Sequence, residues 1–482
     1  MDIQSEIFNI REQSPMTSTA QEIQSGKLFA TAAERIIEQG GHFSDPRHGQ
    51  VGIELENIVT DNEGRPVNAE ERDRFIATAK TIVLESAFPV TLQQELGAAQ
   101  IEINQGTDAL FSLDNIEPGV VLTFFKQIDQ FLLESTEHQR MKLLNLGFHP
   151  FADIRNVPRT NKPKYDLVPT HHDGNRLASS RTLQSDLNLL NEPDATVAAL
   201  TNSLQFNISM PDVTTAIRAM NIMFQMTPQI LAIGGNAGFA ESVDTNWSDF
   251  RNQIWDKTHR TAAGQRVFLP EDFILSPEDL FLRMARFPLI LEAPNSKAAF
   301  DIATGTNWLA AKLKFLCNDD LDINKLLLEF RPLSLQQTPE ENAAMFLLTL
   351  GRLKLAMETN EPMFDEFDAV RVNGELAQRR GTQATLVTKR FTGSHWENSM
   401  VTGQEIRELE IHHASLGLSM TSDGNVPMSR YNAFRSFFEE NIGVQNPTER
   451  LRAELGSSWE TGSDSERREH IRDTLINSGI MR

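Results

Sequence analysis

Four short segments in which apolar and polar residues alternate constrain the fold of this chain more than any other feature. They lie at 52–56, 100–104, 204–209 and 328–331. Successive side chains of a β-strand point to opposite faces, so each segment predicts a strand with one apolar and one polar face. The polar faces carry Glu54 and Glu56; Gln100, Glu102 and Asn104; Gln205, Asn207 and Ser209; and Glu329 with Arg331.

Helical patterns separate these predicted strands. Apolar residues at three- and four-residue intervals predict amphipathic helices over 17–40, 116–133, 214–233, 276–287, 308–316 and 339–357. Strands and helices together indicate a mixed fold of the α+β class. A proline-rich stretch over 147–169 is too long for a simple connection and predicts a loop that covers a binding site.

The excess of acidic over basic residues indicates which kinds of partner the chain can bind. It has 45 Lys and Arg against 66 Asp and Glu, a formal net charge of -21. Because this sign opposes binding to phosphate backbones, we expect no nucleic-acid partner. The sequence has neither a run of about 18 apolar residues nor a basic leader, which predicts no membrane span and no secretory signal. Cys317 is the single cysteine, which fits a reducing compartment, and we expect the cytoplasm.

The polar strand faces carry an unusual set of side chains. One such strand alone is typical of a solvated edge, but here the outward residues are mostly carboxylates and amides. A hairpin through Gly97 would also bring Glu95 beside Glu102. If the faces converge, carboxylates would repel one another by on the order of several kcal/mol per pair unless a cation lay between them. The carboxylates concerned are Glu54, Glu56, Glu95, Glu102 and Glu329.

Hard oxygen ligands on rigid strands favour Mg²⁺ or Mn²⁺, and Gln205 would add a neutral ligand. Arg331, two positions after Glu329, is typical of an anion clamp for a phosphoryl oxygen. Such a cleft suits phosphoryl transfer from ATP. The sequence lacks a P-loop motif, so Arg251 and Arg260 are further candidates for phosphate contacts, with surface ion pairs as the alternative.

Two other residues are candidates for substrate contacts, and each has an ordinary alternative. His149 in the proline-rich stretch would contact the substrate or transfer a proton, or would be a solvated or capping loop residue. Trp255 would form the floor of a nucleotide or substrate pocket, or would belong to the core.

Several motifs in fixed order resemble those of a known enzyme family. As a set they are similar to the glutamate–cysteine ligases of plants and many bacteria, with related carboxylate–amine ligases and the glutamine synthetase superfamily behind them. The resemblance runs from about residue 50 to about residue 350. It rests on GIELE at 52–56, ELGAAQIE at 95–102, GFHP at 147–150, VPRTNKPKYDLVP at 157–169, the segment 201–261 and LEFRP at 328–332.

This resemblance implies a glutamine synthetase-like antiparallel sheet that forms a funnel flanked by helices, with ATP entering one end and the acid the other. The implied metal ligands are Glu54, Glu56, Glu95, Glu102, Gln205 and Glu329. The implied nucleotide and phosphate contacts are Arg251, Arg260, Arg331 and Asn207. The implied or candidate substrate contacts are Lys164, Tyr165, His149 and Trp255.

The resemblance also implies a reaction, and the pattern along the chain predicts a domain organisation. A glutamate-like carboxylate would react with ATP to give an acyl phosphate, and an amine would then displace phosphate. The alternatives are a kinase or amide hydrolase of the same fold, or a non-catalytic binding protein. We expect an N-terminal helical segment at 1–45, a catalytic ligase domain at 46–380 and a polar helical appendage at 381–482, the last being a candidate for homo-oligomer contacts.

Overall fold

The computed structural model describes residues 6–7, 20–106, 111–155, 157–162, 165, 175–193, 195–259, 266–287, 289, 292–457 and 459–482. Within this part of the chain the helices are α1 (Ala20–Gly40), α2 (Ala69–Ser86), α3 (Pro118–Gln139), α4 (Asn175–Asp186), α5 (Val213–Gly234), α6 (Arg251–His259), α7 (Pro277–Ala285), α8 (Ser296–Gly305), α9 (Pro339–Glu358), α10 (Asp368–Arg380), α11 (Gln404–Ser419), α12 (Met428–Asn441), α13 (Pro447–Leu455) and α14 (Asp464–Asn477).

The strands of the same described residues are β1 (Gln50–Thr60), β2 (Thr91–Gln94), β3 (Gln100–Gln105), β4 (Phe111–Ser112), β5 (Lys142–Leu144), β6 (Ser203–Ser209), β7 (Phe239–Ala240), β8 (Val243–Asp244), β9 (Val267–Phe268), β10 (Trp308–Leu309), β11 (Ala311–Cys317), β12 (Ile323–Phe330), β13 (Thr385–Phe391) and β14 (Trp396–Thr402). The four segments with alternating residues therefore lie in β1, β3, β6 and β12, as predicted, and Arg331 follows directly after β12.

An antiparallel sheet of eight strands forms the centre of the described structure. Its order is β11–β12–β6–β1–β3–β2, and β4 and β5 pair with the two ends of β1. In this register Glu56 lies opposite Glu102 on β3 and opposite Ser203 on β6. Glu329 on β12 lies opposite Asn207 on β6. The polar faces of the predicted strands therefore converge on one side of one sheet.

The other face of the sheet is apolar and packs against helices. Leu55 of β1 and Phe206 of β6 are buried there. The ring of Phe206 lies 5.4 Å from that of Phe346 on α9, in an edge-to-face arrangement. Helix α5, almost wholly buried, also packs on this side, against β11 and β12. Burial of this face holds the polar side toward the cleft, and the predicted α+β fold is confirmed.

The prediction of a helix over 308–316 is wrong. Residues 308–316 form the short strand β10 and most of β11, which pairs antiparallel with β12. Within β11, Leu313 and Phe315 point into the core, whereas Lys312 and Lys314 point into the cleft. The residues therefore alternate with the period of a strand, and pairing with β12 determines the structure.

The C-terminal residues share the core of the sheet. Helix α11 packs along α9, and its Ile406 and Leu409 are buried in the same apolar core as the sheet residues, together with Phe434 and Phe438 of α12. The proposed boundary between 46–380 and 381–482 stays a prediction. Among the described helices, none combines the length and the apolar character that a membrane crossing needs.

Candidate active site

A cleft of about 500 Å³ opens on the polar face of the sheet. This volume is in the range of sites that bind small molecules. Side chains from β1, β2, β3, β6, β11 and β12 and from the residues directly after β2 and β12 contribute to its wall. The lining residues are Glu54, Glu56, Gln93, Glu95, Glu102, Asn104, Gln205, Lys312, Lys314, Glu329 and Arg331.

The part of the cleft near β1 and β6 is acidic and rich in amides. Glu56 accepts hydrogen bonds from Ser203 Oγ at 2.6 Å and from Gln205 Nε2 at 2.9 Å. Glu54 accepts one from Asn207 Nδ2 at 2.7 Å. These donors come from β6, directly beside β1, so the strand register itself orients both carboxylates.

Burial sets the protonation of these two carboxyl groups. It raises the pKa of Glu54, and the negative charge of Glu329 adds to the effect. It also raises the pKa of Glu56, against the opposing charge of Arg251. The amide oxygens of the neighbouring Gln205 and Asn207 are buried without a hydrogen-bond donor. Oxygen atoms in this state are favourable ligands for a cation.

The part of the cleft near β11 and β12 is cationic. The Glu329 carboxylate is fully buried and lies between three cations. Lys314 Nζ lies 2.6 Å and Arg331 Nη1 3.0 Å from Oε1 of Glu329, and Lys312 Nζ lies 3.1 Å from Oε2. The cluster of these four residues has a net positive charge when all are ionised.

These charges determine the ionisation of the cluster. Burial alone would raise the pKa of Glu329, but Arg331, Lys312 and Lys314 hold it well below its usual range. Burial lowers the pKa of Lys312 to about 8, against the attraction of Glu329. The three cations thus favour the ionised form of Glu329, whereas burial favours loss of the proton of Lys312.

Arg251 connects the two parts of the cleft from the first turn of α6. Its Nη2 lies 4.0 Å from Oε2 of Glu56, and its Nη1 donates to the backbone oxygen of Arg331 at 3.2 Å. Its Nε is buried without a hydrogen-bond partner. The buried guanidinium between Glu56 and Arg331 adds positive charge next to the cleft, which favours an anionic group of the substrate.

The predicted hairpin through Gly97 is present, and Glu95 and Glu102 both line the cleft. The Tyr165 hydroxyl donates to Oε2 of Glu95 at 3.3 Å, and burial raises the pKa of Tyr165. Tyr165 therefore contacts Glu95, which lines the cleft, and a direct contact of Tyr165 with the substrate stays a prediction.

Other predicted site residues lie elsewhere or outside the described residues. His149 is buried, with Nε2 3.0 Å from the Gly64 oxygen and Nδ1 3.4 Å from the Phe151 nitrogen. These contacts favour a structural role, and substrate binding by His149 stays a prediction. Trp255 is half-buried, with its ring 5.8 Å from that of Trp308. Lys164 and Arg260 lie outside the described residues.

Lys312 and Lys314 are site residues that the sequence analysis missed. Their signal was the alternation of lysine with Leu313 and Phe315, which the helical interpretation of 308–316 concealed. Ser203 was missed as well, because it lies one residue before the segment in which alternation was recognised.

The donors of the acidic part fit a hard divalent cation in their chemistry. Carboxylates of Glu54, Glu56 and Glu102 lie near the two unpaired amide oxygens of β6. Within the described residues, no three acidic, histidine or cysteine side chains are grouped closely enough to hold a metal ion. A cation would therefore take part of its coordination from amide or substrate oxygens.

Comparison with known proteins places this site in a family. The family model for glutamate–cysteine ligase family 2 (GCS2) matches residues 50–396, which include every described wall of the cleft. Two curated relatives bear the name "Putative glutamate--cysteine ligase 2". The relative from Gloeobacter violaceus is 25% identical over 167 residues, and that from Solibacter usitatus is 23% identical over 211 residues.

These alignments cover 35% and 44% of this chain, and 38% and 46% of the relatives. The chain thus spans less than half the length of the curated relatives it matches. A crystal structure of glutamate–cysteine ligase from Francisella tularensis in complex with AMP gives a TM-score of 0.50 at 11% identity, with 91% of this chain and 90% of that chain covered. This likeness shows a shared fold.

The matching family and both curated relatives bear the names of ligases. Because the family model matches residues 50–396, the chain belongs to glutamate–cysteine ligase family 2.

Proposed function

We propose that this protein is an ATP-dependent ligase that activates a glutamate-like side-chain carboxylate as an acyl phosphate and joins it to an amine. The observation that carries the proposal is the convergence of carboxylates, amides and basic side chains from β1, β3, β6, β11 and β12 in one cleft. Membership of the ligase family and the nucleotide in the Francisella structure support it.

In the first step a carboxylate oxygen of the acid attacks the γ-phosphorus of ATP. The bond from this phosphorus to the bridging oxygen breaks, and ADP leaves with the electron pair. Arg331 and Arg251 flank the cleft and would stabilise the charge on the phosphoryl oxygens as it is transferred. Because both guanidiniums are held by backbone or carboxylate contacts, they need little rearrangement during the reaction.

In the second step the nitrogen of the amine attacks the acyl carbon, and phosphate leaves with the electron pair of the C–O bond. The amine loses a proton to form the amide. The departing phosphate can accept that proton.

A divalent cation in the acidic part would be held by at most two of the carboxylates Glu54, Glu56 and Glu102 together with the amide oxygen of Gln205, and it would neutralise charge on the phosphates when bound. The predicted ligands Glu95 and Glu329 are at the edge of this group. Glu95 already accepts a hydrogen bond from Tyr165, and Glu329 lies against three cationic side chains.

The test is release of ADP and phosphate in the presence of Mg²⁺, glutamate and a panel of amines. We expect release that requires both the acid and an amine. Glu56→Gln should lower this rate by on the order of 10²-fold or more, because it removes charge at the point where phosphates would be bound.

The matched control is Glu70→Gln, which makes the same change at an exposed position on α2 and should keep the normal rate. Release of ADP that requires the acid but no amine would instead indicate a kinase, which stops at the phosphorylated acid. A protein that releases no ADP with any combination, or a Glu56→Gln variant at full rate, would contradict the proposal.

A further inference from the structure

Lys314 joins two carboxylates that belong to different strands. Its Nζ lies 3.1 Å from Oε1 of Glu54 on β1 and 2.6 Å from Oε1 of Glu329 on β12. Carboxylate oxygens are ligands of hard divalent cations, so a site between two carboxylates is one where such a cation could bind. Here an ammonium group of the chain itself takes that position.

The surroundings of Glu329 leave little room for a metal ion. Both of its oxygens are in ion pairs, Oε1 with Lys314 and Arg331 and Oε2 with Lys312. Its side chain has no exposed surface. A cation bound to Glu329 would have to displace one of these groups and would then meet the charges of the others at close range.

The backbone fixes this arrangement. Lys312 lies directly opposite Glu329 in the pairing of β11 with β12, and Lys314 lies opposite Leu327. Leu313 and Phe315, which alternate with the two lysines along β11, are buried in the core. Strand β11 therefore cannot turn its lysines out of the cleft without exposing these two apolar side chains.

We propose that the ammonium group of Lys314 replaces a divalent cation between Glu54 and Glu329, so that the cleft binds exchangeable metal only at its acidic part. The inference rests on the proposed function, which supplies the need for a metal ion in the acidic part of the cleft. Lys314 is then a positioning residue that holds Glu54 and Glu329 in place. Its single positive charge is part of the chain and cannot be removed by a chelator.

The test is a titration of the purified full chain with Mn²⁺ alone, in which electron paramagnetic resonance counts the free ion. We expect Lys314→Met to bind about one more Mn²⁺ per chain than the unaltered protein, because two carboxylates lose their shared cation. Lys314→Arg keeps the charge and should bind the original number.

A control separates this effect from a general loss of positive charge. Lys80→Met removes an exposed lysine from α2, outside the cleft, and should bind the original number. If Lys314→Met also binds the original number, the inference is overturned, whatever the ADP assay shows.

A second variant tests the inference if Lys314→Met does not fold. Glu329→Gln should leave the number of bound Mn²⁺ ions unchanged, since Lys314 rather than a metal contacts Glu329. Loss of one bound ion would overturn the inference and restore Glu329 as a metal ligand. The proposed ligase activity is judged separately, by amine-dependent ADP release in the unaltered protein.

Discussion

At Glu54 and Glu329 the same side chain meets two different environments. Alternation in sequence placed both carboxylates on the polar face, and the structure confirms that they share a cleft. Their pKa values shift in opposite directions because Glu329 contacts three cations, whereas burial dominates at Glu54. The distance from a carboxylate to its charged neighbours depends on strands that are far apart in sequence. The charge state of a site residue is therefore not predictable from its own segment.

His149 gives a prediction at the same scale. Burial lowers its pKa to about 3 from an ordinary 6.5, so folded His149 stays neutral while the unfolded chain takes up a proton below pH 6.5. Stability contributed by this residue is therefore lost as the pH falls from 6.5 toward 3, by about 1.4 kcal/mol per pH unit. In His149→Gln, we expect this part of the pH dependence to disappear.

The measurement is urea unfolding at about pH 7 and about pH 5. The substitution also removes the contact of His149 with the Phe151 ring, so the free energy of unfolding falls at both pH values. Only the change of this free energy with pH is informative. His138→Gln makes the same substitution at an exposed position on α3 and is the matched control. Equal slopes for His149→Gln and the unaltered protein would refute a buried neutral imidazole.

Strand β11 shows where the spacing of apolar residues fails to distinguish a helix from a strand. Leu309, Leu313 and Leu316 have helical spacing, while Lys312 and Lys314 alternate with apolar residues as in a strand. Both patterns fit so short a segment, and periodicity alone cannot decide between them. Longer patterns were decisive, as in α5 and α9, whose predicted ranges fall within one or two residues of the observed helices.

The packing of α11 on α9 gives a prediction for a helix pair. A Cβ atom at Gly417 would overlap the backbone oxygen of Gly351, and one at Gly351 would lie 2.5 Å from the Ala414 oxygen. Alanine normally favours a helix over glycine by about 1 kcal/mol. Here we expect the opposite sign for Gly417→Ala, a destabilisation of about 1–3 kcal/mol, because the helices must separate.

Gly119→Ala in the first turn of α3 is the matched control, because no atom lies within 4 Å of its added Cβ. It should be neutral or slightly stabilising. Thermal or urea unfolding of both variants measures the difference, and a Gly417→Ala variant as stable as the unaltered chain would show that the two helices are not in this close contact.

For the whole molecule, alternation and helical spacing predicted the α+β class, and the order of the motifs predicted the family. The register between strands was not accessible in this way. That Glu54 faces Gln205 and Glu329 faces Asn207 depends on how the apolar face packs on α5 and α9. It also depends on β11, a strand that closes one edge of the sheet and that the sequence did not reveal.

The shared core leads to a prediction about the C-terminal part. Because Ile406 and Leu409 of α11 are buried with the sheet residues, α11 should unfold together with β12 rather than as a separate appendage. Hydrogen exchange measured by mass spectrometry over increasing urea should show peptides from both elements losing protection at the same denaturant concentration. If α11 opens at clearly lower urea while β12 stays protected, residues 381–482 form a separate unit, and the boundary near residue 380 is correct.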